Sequence, residues 1–464
     1  MPDMDGDTAR GTTARLAAWV HAARVGELPA PVRAHALRSF VNIVGCMIAG
    51  SRHPVIGLLE QTYAPYAGPA TATLAGLGRQ ADVLQATLIN GVSSGVDTFD
   101  DTHADAVVHP SGPVASAVLA LAQTRHRSGA DVLLAFTLGV EVLCRLGKAL
   151  AAPPARGNMS WLQSCICAPP AVALAAGKLL DLDPERLCWA VGIAAAQASG
   201  LRGASGTLWS RVAPGEAAQL GVKAALLAAR GVTGGTAGIE GAHGFASMFA
   251  HAAHLPALDG ALGERHEILG NTFKPYPCGI VIHPAIDACR VLARDHGLSG
   301  AACAGIARIE VSVNPVALTL TDRPAPRDAL QAQVSLQHWI AAVLVEGAAG
   351  LAQLEPRCLA DPTVVALRAR IVALSDPGLA TDCARLRVTL HAGAVLEVAL
   401  DHCIGSAARP MSDADLGAKF LDLTSDRLGA PAARALLAMC RELDRLPDVT
   451  ALAVAMGGPA TVRS

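Results

Sequence analysis

Residues 131–146 read Asp-Val-Leu-Leu-Ala-Phe-Thr-Leu-Gly-Val-Glu-Val-Leu-Cys-Arg-Leu. Apolar side chains fall on nearly every face of this stretch, as expected of a central helix walled in by other helices. Its neighbours carry helix punctuation. Ser111-Gly112-Pro113 opens a helix through Val114, Val118, Leu119 and Leu121. Asp183-Pro184-Glu185 supplies an N-cap acid, a proline in the first turn and an acid near the positive end of the helix dipole, ahead of the apolar run Leu187 to Ala196. The chain is 52% hydrophobic but only 3% aromatic, and alanine dominates its apolar content, which suits closely packed helices.

The texture changes after about residue 270. Ile309, Val311 and Val313 alternate with Glu310 and Ser312, a half-buried strand. Leu386, Val388 and Leu390 alternate likewise, and beyond His391-Ala392-Gly393 come Leu396, Val398 and Leu400, a β-hairpin pattern. Helical stretches lie between, as near Leu336 to Leu351. The chain's 464 residues exceed one ordinary core. The expected fold is mostly α: a large all-helical domain over residues 1–267, completed by helices in 403–464, with a smaller α+β domain over 268–402.

The formal net charge of −2 is scattered without a basic block, so neither nucleic acid nor an anionic membrane surface is an expected partner. The longest uncharged run, between Arg156 and Lys178, contains Asn158, Gln163, Ser164 and Pro169-Pro170, which suits a buried soluble helix better than a bilayer span. The acidic opening Met1–Asp5 has no apolar signal core, so a cytoplasmic location is expected. Of twelve cysteines, Cys165 and Cys167 form C-x-C, but no second pair stands at zinc-site spacing; reduced, mostly buried thiols are expected. There is no G-x-G-x-x-G after a strand and no G-K-[ST], so nucleotide and flavin readings lose support.

Three polar clusters are candidates for chemistry. Asp97, Asp100, Asp101, His103, Asp105 and His109, with Thr102, put four carboxylates and two imidazoles between apolar helices. Such groups are costly unless solvated, paired or functional, and adjacent acids push their pKa values apart. The cluster is either a proton-moving site or a solvated, capped loop. Asp101-x-His103 permits a metal, but no third ligand is evident. Lys274-Pro275-Tyr276-Pro277-Cys278-Gly279 with His283 and Asp287 sets a lysine on a proline-stiffened segment, either a carboxylate anchor or a structural linker. Ser210 and Arg211 precede Gly215-Glu216-Ala217-Ala218; Arg211 is a bidentate carboxylate clamp or a surface arginine.

In this order the clusters resemble the MmgE/PrpD family. Matching pieces include Asn90-Gly91, Asp100-Asp101-Thr102-His103, His109-Pro110-Ser111, Gly139-Val140-Glu141 with Arg145, Gly215-Glu216-Ala217-Ala218, Lys274-Pro275-Tyr276-Pro277-Cys278 with His283, and Lys419-Phe420. The resemblance spans nearly the whole chain. It implies a helical domain with an α+β lid, a homodimer, an active site between the domains, and no organic cofactor or metal. It also implies small di- or tricarboxylate substrates, with dehydration, decarboxylation or epimerisation through a carbanion beside a carboxylate.

Carried over by position, His109 is the acid/base candidate and Lys274 the carboxylate anchor or proton donor. His103 and Asp100 are further proton-transfer candidates, with Asp101 and His283 in supporting places. Asp97, Thr102, Trp161, Leu162, Ser210 and Arg211 are expected near the substrate. The chain departs from the family pattern at Gly95 and Leu162, where histidines are usual, at Thr98, where an aspartate is usual, at Ser210, where a lysine is common, and at Leu320, in place of a tyrosine. These changes remove a base and a cation and turn the Trp161–Leu162 corner apolar, an opening for an apolar substituent. The expected activity is a cofactor-independent dehydratase. The alternatives are an epimerase using two opposed bases and a catalytically weakened binding dimer.

Overall fold

The 131–146 stretch lies inside a helix, Gly129–Ala151, whose residues are buried almost without interruption from Val132 to Gly147. The computed structural model describes residues 11–459; the opening Met1–Asp5 lies outside the described residues. The principal helices of the first unit are α1 (Ala30–Gly50), α2 (Val83–Gly95), α3 (Ser111–Gln123), α4 (Gly129–Ala151), α5 (Gln163–Leu179), α6 (Pro184–Ala195) and α7 (Trp209–Ala229). The second unit contributes α8 (His283–His296) and α9 (Leu336–Glu346), and α10 (Asp413–Leu428) belongs again to the first. Among the described residues the first unit comprises 11–96, Asp100–Asn271 and 413–459; the second comprises Asp97–Phe99 and Thr272–Ser412.

Glycines bring the helices of the first unit together. A Cβ on Gly215 would lie 2.5 Å from the Leu88 carbonyl, and one on Gly91 would lie 2.9 Å from the Gly215 Cα, so α2 and α7 cross backbone to backbone. A Cβ on Gly221 would meet the Pro169 carbonyl at 2.7 Å, locking α7 onto α5. Pro169 and Pro170 therefore stand inside a helix, and their neighbours from Cys165 to Gly177 are buried. Asn90 accepts from the Ala75 amide and donates to the Thr73 carbonyl, both at 2.9 Å. Along α1, Lys419 of α10 donates to Asn42 at 2.7 Å, and Phe420 packs over Gly45.

The unit is not purely helical. Ala72–Leu74 pairs with Arg79–Ala81, and Arg156–Gly157 with Ala250–Ala252. The first pair turns through Gly76 and Gly78, both at positive φ; three-residue strands show too little alternation to stand out from loop sequence.

The second unit holds a four-stranded mixed sheet of β1 (Ile306–Val313), β2 (Ile371–Ser375), β3 (Ala384–Leu390) and β4 (Val395–Leu400), in the order β4-β3-β1-β2. β1 runs parallel to β2 and antiparallel to β3, and β3–β4 is the expected hairpin. Ile309, Val311, Val313, Leu386 and Val388 point inward and join Ile286, Cys289, Trp339, Ile340 and Leu344 of α8 and α9 in one core. No described helix is long and apolar enough to cross a membrane.

Candidate active site

His109 stands just before α3, with its side chain 46% exposed. Its Nδ1 lies 2.7 Å from the Asp101 carbonyl oxygen, an acceptor only, so Nδ1 carries the proton and donates it there. This fixes the tautomer and leaves Nε2 as the nitrogen that can take a proton. Thr102 Oγ1 lies 3.2 Å and Asp100 Oδ2 3.5 Å from the same Nδ1, so an imidazolium formed at His109 has a carboxylate beside it. The backbone amide of His109 donates to Ser164 Oγ at 2.9 Å. Two regions more than fifty residues apart, the acidic cluster and the start of α5, thereby meet at one residue.

Asp101 is fully buried. Its carboxylate accepts from the Ser111 hydroxyl and from Asn271 Nδ2. Burial, together with the neighbouring Asp100 charge, pushes its pKa upward against the pull of these donors. Asp101 thus serves His109 through its backbone and anchors α3 and residue 271 through its side chain.

His103 is 2% exposed. Its Nδ1 accepts from the Ala106 amide at 3.2 Å, which places the proton on Nε2, 3.6 Å from Glu267 Oε2. A Cβ on Gly270 would come within 2.8 Å of that Nε2, so only glycine leaves room for the ring. Glu267 also meets Lys148 and Arg265, each at 2.9 Å. Burial alone would raise the Glu267 pKa, but His103, Lys148 and Arg265 outweigh it and hold the group at about 2. The carboxylate of Asp101 and the ring of His103 face different partners, so the Asp101-x-His103 spacing does not converge on a metal. Beyond His103 the chain makes a tight turn in which His103 and Val108 exchange backbone hydrogen bonds, and Val107 adopts φ +57°. A β-branched residue in the left-handed region is strained, and such strain persists where the surroundings impose it.

The corner at Trp161 and Leu162 is pinned to residues 200–202. Leu162 N donates to the Gly200 carbonyl at 2.8 Å, and Arg202 Nη2 donates to the Trp161 carbonyl at 3.3 Å. The Trp161 ring stacks edge-on against Phe249 at 4.9 Å. Gln163, the next residue, is 2% exposed, and neither its amide oxygen nor its nitrogen has a hydrogen-bond partner among the described residues; the same holds for Trp161 Nε1. Ser210 donates to the Thr207 carbonyl at 2.7 Å, and Arg211 lies near enough to His53 to add to the depression that burial imposes on that imidazole.

The remaining candidates belong to the second unit. Lys274 and His283 are each 2% exposed. Tyr276 donates its hydroxyl to Asp287, whose other oxygen accepts from the Ile404 amide at 2.7 Å, and the His283 ring packs edge-on against Tyr276 at 5.4 Å. Burial drives the Tyr276 pKa up, and the Asp287 charge adds to the effect, so this tyrosine is a structural donor. Asp97 opens the short 97–99 segment of the same unit, in which Thr98 bonds Gln333 at 3.1 Å.

Ser111, Ser164, Asn271, Glu267 and Gln163 were not among the expected site residues. Ser111 and Asn271 stand beside recognised motifs. Gln163 and Glu267 carry no spacing signal, because only the fold shows which buried polar groups they meet or lack.

A model described as the MmgE/PrpD N-terminal domain matches residues 14–257, and one described as the MmgE/PrpD C-terminal domain matches 276–445. The chain belongs to the MmgE/PrpD family. It is 26% identical to a cis-aconitate decarboxylase of Aspergillus terreus, with 97% of this chain and 96% of that protein aligned. It is 27% identical to the cis-aconitate decarboxylase of Homo sapiens over 97% and 95% of the two chains. A 2-methylcitrate dehydratase of Cupriavidus necator is 31% identical over 29% of this chain and 30% of its own. These relatives support a lyase-type function.

Proposed function

We propose that this protein is a lyase that eliminates water from a small hydroxy carboxylate, with His109 Nε2 as the base that removes the proton beside a carboxylate. The observation that carries the reading is the Nδ1–H bond from His109 to the Asp101 carbonyl, which turns the basic nitrogen away from the protein backbone. Asp100, 3.5 Å from the ring, stabilises the imidazolium formed in the step. Arg211, at the start of α7, supplies a cation for a substrate carboxylate. The enzyme works without a cofactor, as a homodimer, in the cytoplasm; the twelve free cysteines support a reducing compartment.

Decarboxylation is the competing reading, favoured by the nearly full-length similarity to cis-aconitate decarboxylases. Leu162 and Leu320, apolar where the family pattern has a histidine and a tyrosine, weigh against it. Neither side chain carries a proton, and Leu320 is exposed.

The test is proton NMR of the purified protein in deuterated water with a panel of hydroxy, unsaturated and amino di- and tricarboxylates, including analogues with apolar substituents. A new alkene signal on an unchanged carbon skeleton, with the hydroxyl lost as water, supports the proposal. A new product one carboxylate shorter, with carbon dioxide released, identifies a decarboxylase, and deuterium wash-in without new product identifies an epimerase. His109→Asn keeps a donor near the Nδ1 position but deletes Nε2; it is expected to lower turnover roughly 100-fold or more, in the range of general-base contributions. Unchanged turnover removes His109 as the base.

A further inference from the structure

Among the twelve cysteines, Cys383 alone is not buried. It lies at the open end of the β3–β4 hairpin, one residue beyond the last registered pair, Ala384 with Leu400. The two strands stay together past that pair. Cys403 N donates to the Asp382 carbonyl at 3.1 Å, and the Cys383 thiol donates to the Asp401 carbonyl at 2.8 Å. His402 Nδ1 lies 2.7 Å from Asp382 Oδ2. One ligand atom from each of Asp382, Cys383 and His402 thus lies within 4.8 Å of the other two. The hairpin backbone sets this convergence, because residues on both sides of the chain reversal meet across the same rung.

The donor types differ, and that selects the ion. A thiolate sulfur and an imidazole nitrogen suit zinc, cobalt, nickel and copper, and they disfavour magnesium and calcium, which take all-oxygen shells. Ligand atoms around one tetrahedral zinc lie about 3.5 Å apart, given bond lengths of roughly 2.0–2.3 Å. The three ligand atoms lie up to 4.8 Å apart, so binding draws the side chains together. His402 has its side chain 52% exposed and Asp382 27%, so water can fill the remaining coordination positions.

We propose that Asp382, Cys383 and His402 form a binding site for a divalent ion of the zinc type. The ion displaces one proton. The thiol releases its proton to solvent as the metal–thiolate bond forms, and His402 shifts its ring proton to Nε2 so that the Nδ1 lone pair binds the ion. No group changes oxidation state. Binding therefore strengthens as pH rises. The ion ties residue 402 to the entry of β3. Two residues on, the Ile404 amide holds Asp287, the carboxylate that also takes the Tyr276 hydroxyl, two positions beyond Lys274. Occupancy thereby stiffens the segment that carries Lys274.

The experiment uses the intact protein, stripped with a chelator and titrated with cobalt(II), which reports a thiolate ligand through a near-ultraviolet charge-transfer band. One equivalent is expected to develop the band. Cys383→Ser abolishes it, and His402→Ala or Asp382→Asn weakens binding roughly tenfold or more. In parallel, one thiol of the native protein reacts rapidly with an aromatic disulfide reagent, and zinc slows that reaction more than tenfold in the native chain but not in His402→Ala. Circular dichroism confirms that the variants fold, and Asp382→Asn leaves the thiol in place if Cys383→Ser does not fold. No band at large cobalt excess, or a band that survives Cys383→Ser, overturns the proposal.

Discussion

Gln163 is a single residue whose burial works against the stability of the fold. Burying an amide without partners costs about 1–3 kcal/mol, yet both polar atoms of Gln163 are in that state, one residue from the leucine that replaces a family histidine. A group held at such a cost is either waiting for a ligand or an uncompensated defect, and the two differ in sign. Gln163→Leu is expected to raise the midpoint of thermal unfolding by about 2 °C, because the unpaired amide is gone, and to weaken substrate use at the same time. Scanning calorimetry and steady-state kinetics on one preparation check both. A lower midpoint with unchanged kinetics assigns the glutamine to the fold. Asp101 illustrates the opposite economy. Its side chain is spent on Ser111 and Asn271, and its backbone oxygen orients His109.

Among the elements, α4 explains why a cation and an anion occur inside an otherwise apolar helix. Arg145 is fully buried, bonds Glu141 one turn earlier at 2.7 Å, and donates to the carbonyls of Leu258, Gly260, Ala261 and Arg265. Glu141 in turn accepts from the Ile268 amide at 3.2 Å. The pair staples the 258–268 loop, and with it Glu267, to the central helix. Arg145→Met leaves the Glu141 side chain without its partner and four carbonyls without their donor, and is expected to cost about 3–5 kcal/mol in urea unfolding. Adding Glu141→Gln should recover part of that loss.

Most helices were legible because their signals are local: the cap at Asp183, the all-round burial of α4, the alternation in β1 and β3. The motif order likewise pointed to the family. Pairings across the chain were not legible. Nothing in the spacing announces that Ser164 meets His109, that Asn271 serves Asp101, or that Asp382 and His402 share a rung, since these depend on which strands and helices become neighbours. Gly91 and Gly215, recognisable in the sequence only as motif pieces, mark the place where two helices cross backbone to backbone.

At the scale of the whole molecule, acid stability is where the buried charges should report. Glu267 has its pKa held at about 2, below the ordinary 4.5, so its contribution is complete above pH 4.5 and is lost as pH falls through about 2. Lys148 and Arg265 are partly exposed, which weakens the pairs and sets the contribution on the order of 2 kcal/mol. Glu267→Gln should lower stability by that amount at neutral pH, with the difference from the native protein shrinking toward zero as pH approaches 2. Urea titrations across this range measure it.

The return of the chain to its first unit has a consequence for how the protein is made. Helix α10, residues 413–428, packs along α1, residues 30–50, with Lys419 reaching Asn42 and Phe420 lying on Gly45. A ribosome adds about 5–20 residues each second, so α1 waits on the order of half a minute for its partner. Throughout that interval the apolar flank around Gly45 is an open seam on a nascent chain, and a holding chaperone would find its purchase there.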